Sequence, residues 1–148
     1  MLEIVLNPVQ SLYEALCVRT IRNQCYPMLT GDPRKLGFWE QVRWYYRQYR
    51  QGEMQLFLVR ANGAIIGYTA LRRRVYERKD YQCSTICVLP QFQGRGYGRR
   101  ALEILVELSH QQGYPVLAEV RADNARSNPI HDHWMFLKTE DGVNYYVC

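Results

Sequence analysis

The stretch Leu89–Arg100, L-P-Q-F-Q-G-R-G-Y-G-R-R, places a glycine-rich basic turn between an apolar strand and an amphipathic helix. Amide groups without helical partners point out of a helix N-terminus, and the helix dipole favours negative charge there. Glycines also let a bulky phosphate group come close to the main chain. The stretch therefore predicts an anion site that would fit a pyrophosphate.

Length and composition predict one folded domain. The 148 residues are enough for one hydrophobic core and too few for two ordinary domains. Hydrophobic residues make up 47% and charged residues 22% of the chain, which is typical of a globular protein. No segment reaches the roughly 20 apolar residues that span a bilayer, and the first residues lack the basic and apolar segments of a signal peptide. We therefore expect a cytoplasmic protein whose domain covers residues 1–148.

Charge and cysteine content narrow the class of partner. A net charge of +5 favours anionic partners, which include nucleic acid, an acidic substrate and a phosphorylated cofactor. Arginines cluster at 72–74 and again at 95–100, and the second cluster lies on the glycine turn, which favours a phosphorylated cofactor. The five cysteines are odd in number and lack the paired spacing of a zinc site, so neither a metal site nor a disulfide is indicated.

Hydrophobic periodicity and turn residues predict a mixed, largely antiparallel sheet with helices on both faces. The Asn-Gly pair at 62–63 and the Asp-Gly pair at 141–142 are strong hairpin signals. The fold class is α/β (α+β), with about seven strands and four helices. The strand at 144–147 is expected at an exposed end of the sheet, where a homodimer could form. The predicted strands are 3–6, 54–59, 64–71, 81–89, 115–120, 136–138 and 144–147, and the predicted helices are 12–21, 38–51, 100–112 and 124–134.

The glycine turn and a second segment downstream resemble a known family. Gln93–Gly98 matches the cofactor signature of the GNAT superfamily of N-acetyltransferases, which is Gln or Arg, two variable residues, Gly, one variable residue, and Gly or Ala. Downstream, Asn124 is followed by Ser127, His131 and Phe136 at the spacing of the second cofactor element of that family. The resemblance covers nearly the whole chain. It implies the acyl-CoA N-acyltransferase fold and transfer of an acetyl group from acetyl-CoA to a primary amine of a small molecule, by direct attack in a ternary complex.

The same resemblance implies which residues bind acetyl-CoA. Backbone groups of Ile86 and Val88 would pair with the pantetheine arm, which behaves like an added strand where two strands splay apart. Asn124 would contact the pantetheine, although capping of the short predicted helix explains this residue equally well. Either Arg99 or Arg100 could add positive charge beside the phosphates, or belong to a solvated helix face. The other cofactor-binding residues that the resemblance implies are Gln93, Gly94, Arg95, Gly96, Tyr97 and Gly98.

Acetyl transfer needs a base for the amine and an acid for the leaving thiolate. His131 lies where the family often has a tyrosine acid, so we expect an acid there, although a base or a structural histidine fits as well. Glu119 is the expected base because it is a lone charge in an apolar strand, although a carboxylate exposed at the rim fits too. Glu77 and Asp80 are alternatives that would act through water. Four aromatic residues could wall the acceptor pocket or belong to the core: Tyr26, Trp44, Tyr45 and Tyr68.

Three other functions compete with this interpretation. Residues 96–101 also fit a dinucleotide-binding fingerprint with Glu119 about 20 residues on, although that fold places its fingerprint in a parallel βαβ unit. The basic run 72–74, with Arg78 and Lys79, could form the surface of a nucleic-acid-binding or nucleic-acid-modifying module on the same scaffold. A non-catalytic sensor of acyl-CoA is the third alternative.

Overall fold

The computed structural model of the protein describes residues 3–52 and 54–148, so residues 1, 2 and 53 of the expected domain lie outside the described residues. The strands are β1 (Ile4–Pro8), β2 (Met54–Ala61), β3 (Ala64–Tyr76), β4 (Lys79–Val88), β5 (Val116–Arg121), β6 (Met135–Glu140) and β7 (Val143–Val147). The α-helices of the described residues are α1 (Leu12–Cys25), α2 (Phe38–Arg47) and α3 (Tyr97–Gln111). No helix in these ranges is long and apolar enough to cross a membrane.

Seven strands form one mixed sheet in the order β1-β2-β3-β4-β5-β7-β6, and the predicted fold class is confirmed. All neighbouring strands are antiparallel except β4 and β5, which are parallel. These two strands pair only at Gln82 with Val116 and at Cys83 with Leu117 among the described residues. From Cys83 towards Val88 the two strands therefore separate, and the sheet opens at its centre.

The two hairpins predicted from Asn-Gly and Asp-Gly pairs are present. Asn62 and Gly63 have φ of 50° and 87°, and Asp141 and Gly142 have φ of 51° and 75°, as a tight hairpin turn of this kind requires. The β3–β4 hairpin is longer than predicted, since β3 continues through the arginine run to Tyr76. Its tip consists of Glu77 and Arg78, two non-glycine residues at positive φ, so no glycine marks it in the sequence.

Helices cover both faces of the sheet. On one face, α1 and α2 pack on a core that includes Val18, Ile21 and Tyr68. On the other face, Leu102 and Leu105 of α3 pack against β3 and β5. Side chains alternate between these faces along each strand. The parity of a strand residue, that is, whether its number is odd or even, therefore decides which face its side chain points to.

Two expectations need correction. The segment 124–134 is a series of turns with one 3₁₀ turn at Asn128–His131 and not an α-helix, because Pro129 lacks an amide hydrogen and Asn128 bonds the backbone with its side chain. Strand 144–147 is not at the end of the sheet. It belongs to β7, which lies between β5 and β6, so the edges of the sheet are β1 and β6.

Candidate functional site

The glycine turn leaves several backbone amides without helical partners. Gly94 and Gly96 have φ of 78° and 83°, which only glycine adopts at low cost, and Gly96 is the N-cap of α3. The first hydrogen bond of the helix runs from the amide of Arg100 to the carbonyl of Gly96 at 3.2 Å. A Cβ atom built on Gly94 or Gly96 would meet nothing within 4 Å among the described residues. The turn therefore offers a helix N-terminus and open space, which fit a pyrophosphate.

Close packing fixes the position of this helix end. A Cβ atom on Gly98 would lie 3.3 Å from Cδ1 of Ile130 and 3.5 Å from Cγ2 of Val88. The Nε2 group of Gln93 donates a hydrogen bond of 2.9 Å to the carbonyl oxygen of Val88. The helix end, the end of β4 and the 3₁₀ turn after β5 thus form one rigid corner.

A cleft of about 480 Å³ lies at this corner, where β4 and β5 separate. It contains nearly all the residues that the resemblance implies for cofactor binding. Arg95 is the exception, since its guanidinium lies 5.9 Å from the ring centroid of Phe92 and does not line the cleft. The expected residues that line the cleft are Ile86, Val88, Gln93, Gly94, Gly96, Tyr97, Gly98, Arg99 and Asn124.

The sequence did not point to the opposite wall of the cleft. That wall comes from the end of α1 and the turn after it, including Cys25, Pro27 and Met28. These residues are about 60 positions from β4 and carry no motif, so only the tertiary structure brings them there. Arg126 also lines the cleft, and it could have been found because it lies inside the second cofactor element.

The arginines of the turn are not equivalent. Arg99 donates to Asp132 at 3.1 Å and to the carbonyl of Pro129 at 2.8 Å, so it ties α3 to the segment after β5. Its hydrogen bond lowers the pKa of the Asp132 carboxyl to about 2. Arg100 pairs with Glu103 at 3.1 Å. Within residues 3–52 and 54–148, Arg126 has no carboxylate within 4 Å, so its charge is available to an anion in the cleft.

Asn124 was expected to contact a cofactor or to cap a short helix, and its side chain closes a turn instead, since the N-cap of the following 3₁₀ turn is Ser127. Its Oδ1 atom accepts hydrogen bonds from the amides of Ser127 at 3.0 Å and Arg126 at 3.3 Å. Asn124 also lines the cleft, so contact with a cofactor remains compatible with this turn.

His131 is not brought to the cleft. Its side chain is 2% exposed, its Nδ1 lies 2.8 Å from the carbonyl oxygen of Ser127, and its ring stacks on Tyr146 with 5.2 Å between centroids. Burial lowers the pKa of this imidazole, so the neutral form with its proton on Nδ1 donates to Ser127. The geometry favours the structural role that the sequence left open over the acid.

Glu119, the residue expected to act as the base, belongs to β5. It is two residues beyond the last β4–β5 pair, on the face that carries Cys83 and Leu117. Its side chain is 16% exposed, and its Oε1 lies 2.8 Å from Nε of Arg74. The N–H does not point at this oxygen, which is buried and has no hydrogen-bond partner among the described residues. The charge of the carboxylate is therefore paired with Arg74 through an oxygen that solvent does not reach.

The two alternative carboxylates lie away from the gap. Glu77 is at the tip of the β3–β4 hairpin, exposed, and 3.4 Å from Lys138. Asp80 is also exposed and lies 3.9 Å from Arg73, whose parity puts it on the α3 face. Of the three carboxylates, only Glu119 borders the separation of β4 and β5.

The fold places the arginines at 72–74 on two faces of the sheet and the expected pocket aromatics away from the cleft. Arg73 lies over the ring of Tyr114 at 4.0 Å from its centroid, on the face opposite Arg72 and Arg74, so the run does not form one basic surface. Of the expected pocket aromatics, Tyr45 and Tyr68 are core residues. Trp44 packs against the same core, and Tyr26 does not line the cleft.

Comparison with known proteins agrees with this geometry. The model of the acetyltransferase (GNAT) family matches residues 17–135. N-alpha-acetyltransferase RimI of Mycobacterium tuberculosis (strain ATCC 25618 / H37Rv) is 39% identical over 88 residues, which are 59% of this chain and 54% of that protein. The chain thus spans about half the length of this curated relative.

Two solved structures show the same fold. YncA of Salmonella typhimurium, solved with its cofactor acetyl-CoA, has a TM-score of 0.72 at 18% identity and covers 99% of this chain and 91% of its own. Spermidine N-acetyltransferase SpeG of Vibrio cholerae, as its N152L mutant, has a TM-score of 0.78 at 15% identity and covers 98% and 92%. With the family model matching most of its length, the chain belongs to the acetyltransferase (GNAT) family.

Proposed function

We propose that this chain is an acetyl-CoA-dependent N-acetyltransferase in which a primary amine of a small molecule attacks the acetyl group directly in a ternary complex. The observation that carries the proposal is the cleft that runs from the glycine turn to the end of β4, where β4 and β5 separate. Glu119 lies on β5, two residues past the last β4–β5 pair. The relatives named RimI and SpeG are both N-acetyltransferases by name, which supports an amine acceptor. Residues 1–148 would act as one catalytic domain.

The donor half of the site is made of backbone. Acetyl-CoA supplies an acetyl group activated as a thioester. Amides of residues 94–98 bind the pyrophosphate at the N-terminus of α3, and Arg126 adds positive charge at the cleft wall. The backbone of Ile86 and Val88 pairs with the extended arm, because β4 has no partner strand on this side beyond Cys83 among the described residues.

Glu119 takes the proton from the acceptor ammonium, directly or through one water. Arg74 holds the carboxylate in place beside the gap through the buried Oε1, so the second oxygen, Oε2, is the atom that receives the proton. Backbone amides near Val88 stabilise the oxyanion. To act as the acid, His131 would have to break its contacts with Ser127 and Tyr146. The coenzyme A thiolate therefore departs into the open cleft without a proton from His131.

Ligand-dependent melting and thiol release test this proposal together. Saturating acetyl-CoA should raise the melting temperature by mass action, whereas nicotinamide dinucleotides should not. Free thiol should then appear only when an amine from a screened library is added. No melting shift would overturn the cofactor assignment. A shift without any amine-dependent thiol would favour the acyl-CoA sensor.

A further inference from the structure

We propose that the acceptor amine also carries a carboxylate, and that Arg72 on the open face of the sheet binds this carboxylate while Glu119 faces the amine. The inference rests on the proposed function and deepens it by naming the class of acceptor. The residues that carry it are Arg72, Arg74, Cys83 and Glu119, which lie on three neighbouring strands.

Strand parity places these side chains on one face. Tyr68 and Ala70 of β3 belong to the core under α1 and α2, so Arg72 and Arg74, two and four residues further, point to the same side. Arg72 is paired in register with Cys83 of β4, and Cys83 with Leu117 of β5. Glu119 follows two residues later on β5, where β4 and β5 have separated.

The thiol of Cys83 is affected by the charges of Arg72, Arg74 and Glu119. Burial raises the pKa of its thiol to about 11, and the charge of Glu119 adds to this rise. The charges of Arg72 and Arg74 act on the same thiol in the opposite direction. The register agrees, because Cys83 lies opposite Arg72 on one side and opposite Leu117, two residues before Glu119, on the other.

One positive charge in this group is not compensated. Arg74 is paired with Glu119, one charge against the other. Arg72 is exposed, and no carboxylate in the part of the chain that the structure describes lies within 4 Å of it. The face beside the base thus has a free guanidinium suited to a bidentate contact with a carboxylate.

The far side of this face is closed by an aromatic pair. Tyr76 of the β3–β4 hairpin stacks on Tyr145 of β7 with 5.2 Å between ring centroids. Lys138 lies beside both rings, 5.3 Å and 5.8 Å from their centroids, and pairs with Glu140 at 2.8 Å. Lys138 also lies 3.4 Å from Glu77, so its charge is fully paired, and the uncompensated positive charge lies at Arg72.

This charge distribution selects among amines. A zwitterion places its ammonium at Glu119 and its carboxylate at Arg72, whereas a polyamine brings a second cation to a free arginine. A hydrogen bond to a charged group contributes about 1.5–3 kcal/mol, or roughly 10- to 100-fold in binding. The carboxylate can belong to a free amino acid or to an acidic residue near the N-terminus of a peptide.

Matched acceptors and matched variants test the proposal. The free acceptors are 4-aminobutanoate, its neutral amide and spermidine, and the peptide acceptors begin with Ala-Glu or Ala-Gln. For the free and the peptide acceptors alike, the acid should have a kcat/KM at least about 10-fold above that of its amide, mainly because its KM is lower. Arg72→Gln should abolish this preference, while the neighbour Arg73→Gln, on the other face, should keep it. The acetyl-CoA affinity and melting temperature of both variants check that the fold is intact.

The outcomes separate this inference from the proposed function. Amides or spermidine used as well as the acids, or an acid preference that survives Arg72→Gln, would overturn the inference while acetyl transfer stands. If no amine leads to release of free thiol, the carboxylate site is tested by binding instead. N-acetyl-4-aminobutanoate and its amide are then titrated calorimetrically into the protein with coenzyme A. Acid-selective binding lost in Arg72→Gln supports the carboxylate site, and equal binding of both ligands overturns it.

Discussion

The two halves of the proposed site are built in different ways. The donor half is a continuous segment, Leu89–Arg100, in which glycines and a helix end present backbone amides. The acceptor half is a set of side chains from separate strands, with Arg72, Arg74 and Glu119 brought together by the twist and register of the sheet. A backbone site depends on few side-chain identities, whereas a side-chain site depends on all of them.

This contrast explains how one fold can serve different acceptors. SpeG of Vibrio cholerae, whose name specifies spermidine, superposes with a TM-score of 0.78 at only 15% identity. Backbone geometry can persist through such divergence, while the function depends on the side chains that each fold carries. Substitutions in the two halves should therefore separate binding of the donor from turnover of the acceptor.

The largest effect is expected from Glu119→Gln in the acceptor half. A positioned general base contributes about 100- to 10,000-fold to the rate, so kcat should fall by at least about 100-fold. The affinity for acetyl-CoA should not change, because Glu119 does not line the donor cleft. Steady-state kinetics of thiol release and calorimetry with acetyl-CoA measure the two quantities.

Glu140→Gln is the matched control for this variant. Glu140 is an exposed carboxylate paired with Lys138 on the neighbouring part of the sheet, so its loss should leave kcat within about twofold. A Glu119→Gln enzyme with normal kcat would remove the base assignment. Equal losses in both variants would point to a general effect of charge instead.

A smaller but still large effect is expected from Gly96→Asp in the donor half. Asp and Asn both tolerate positive φ better than other residues, so Gly96→Asn is a control of nearly equal shape. The added negative charge would face the pyrophosphate at the helix N-terminus and should weaken acetyl-CoA binding by roughly 100-fold. Gly96→Asn should retain most of the affinity. Equal binding by both variants in a calorimetric titration would contradict the phosphate assignment.

The donor half could be predicted because its information is local. The spacing of Gly94, Gly96 and Gly98, and the Asn-Gly and Asp-Gly turns, each fix a backbone conformation within a few residues. The alternation of side chains along β3 and β4 then assigns each of their residues to one face of the sheet. For this reason the sequence was sufficient for the fold class, the two marked hairpins and the glycine turn at the helix end, but not for the place of β7 in the sheet.

The rest depends on contacts that are distant in sequence. The Arg74–Glu119 pair joins residues 45 positions apart, and the cleft wall at Cys25 and Pro27 has no sequence signal. The segment 124–134 was predicted as a short helix that Pro129 would delay or distort, and the side-chain bonds of Asn128 that replace the helix have no signal in the sequence. His131 matches a motif position, but its orientation is set by Tyr146 of β7, which periodicity does not locate.

The smallest effect concerns stability and sets His131 apart from both halves. Burial lowers the pKa of folded His131 below its unfolded value, so the unfolded chain binds more protons and the free energy of unfolding rises with pH. Acidification below about pH 6.5 should therefore destabilise the protein, by no more than about 1.4 kcal/mol per pH unit from this residue. Urea unfolding of wild type and His131→Gln between pH 7.5 and 5 should show a gap that narrows as the pH falls.

The same variant decides between packing and catalysis. His131→Gln should keep kcat within about twofold while lowering the melting temperature, since it removes a stacked ring that is 2% exposed. The exposed His133, changed to Gln, should alter neither the melting temperature nor kcat. A kcat loss of roughly 100-fold at an unchanged melting temperature would restore His131 as the acid. It would also show that the side-chain half of the site extends past Glu119 into the segment after β5.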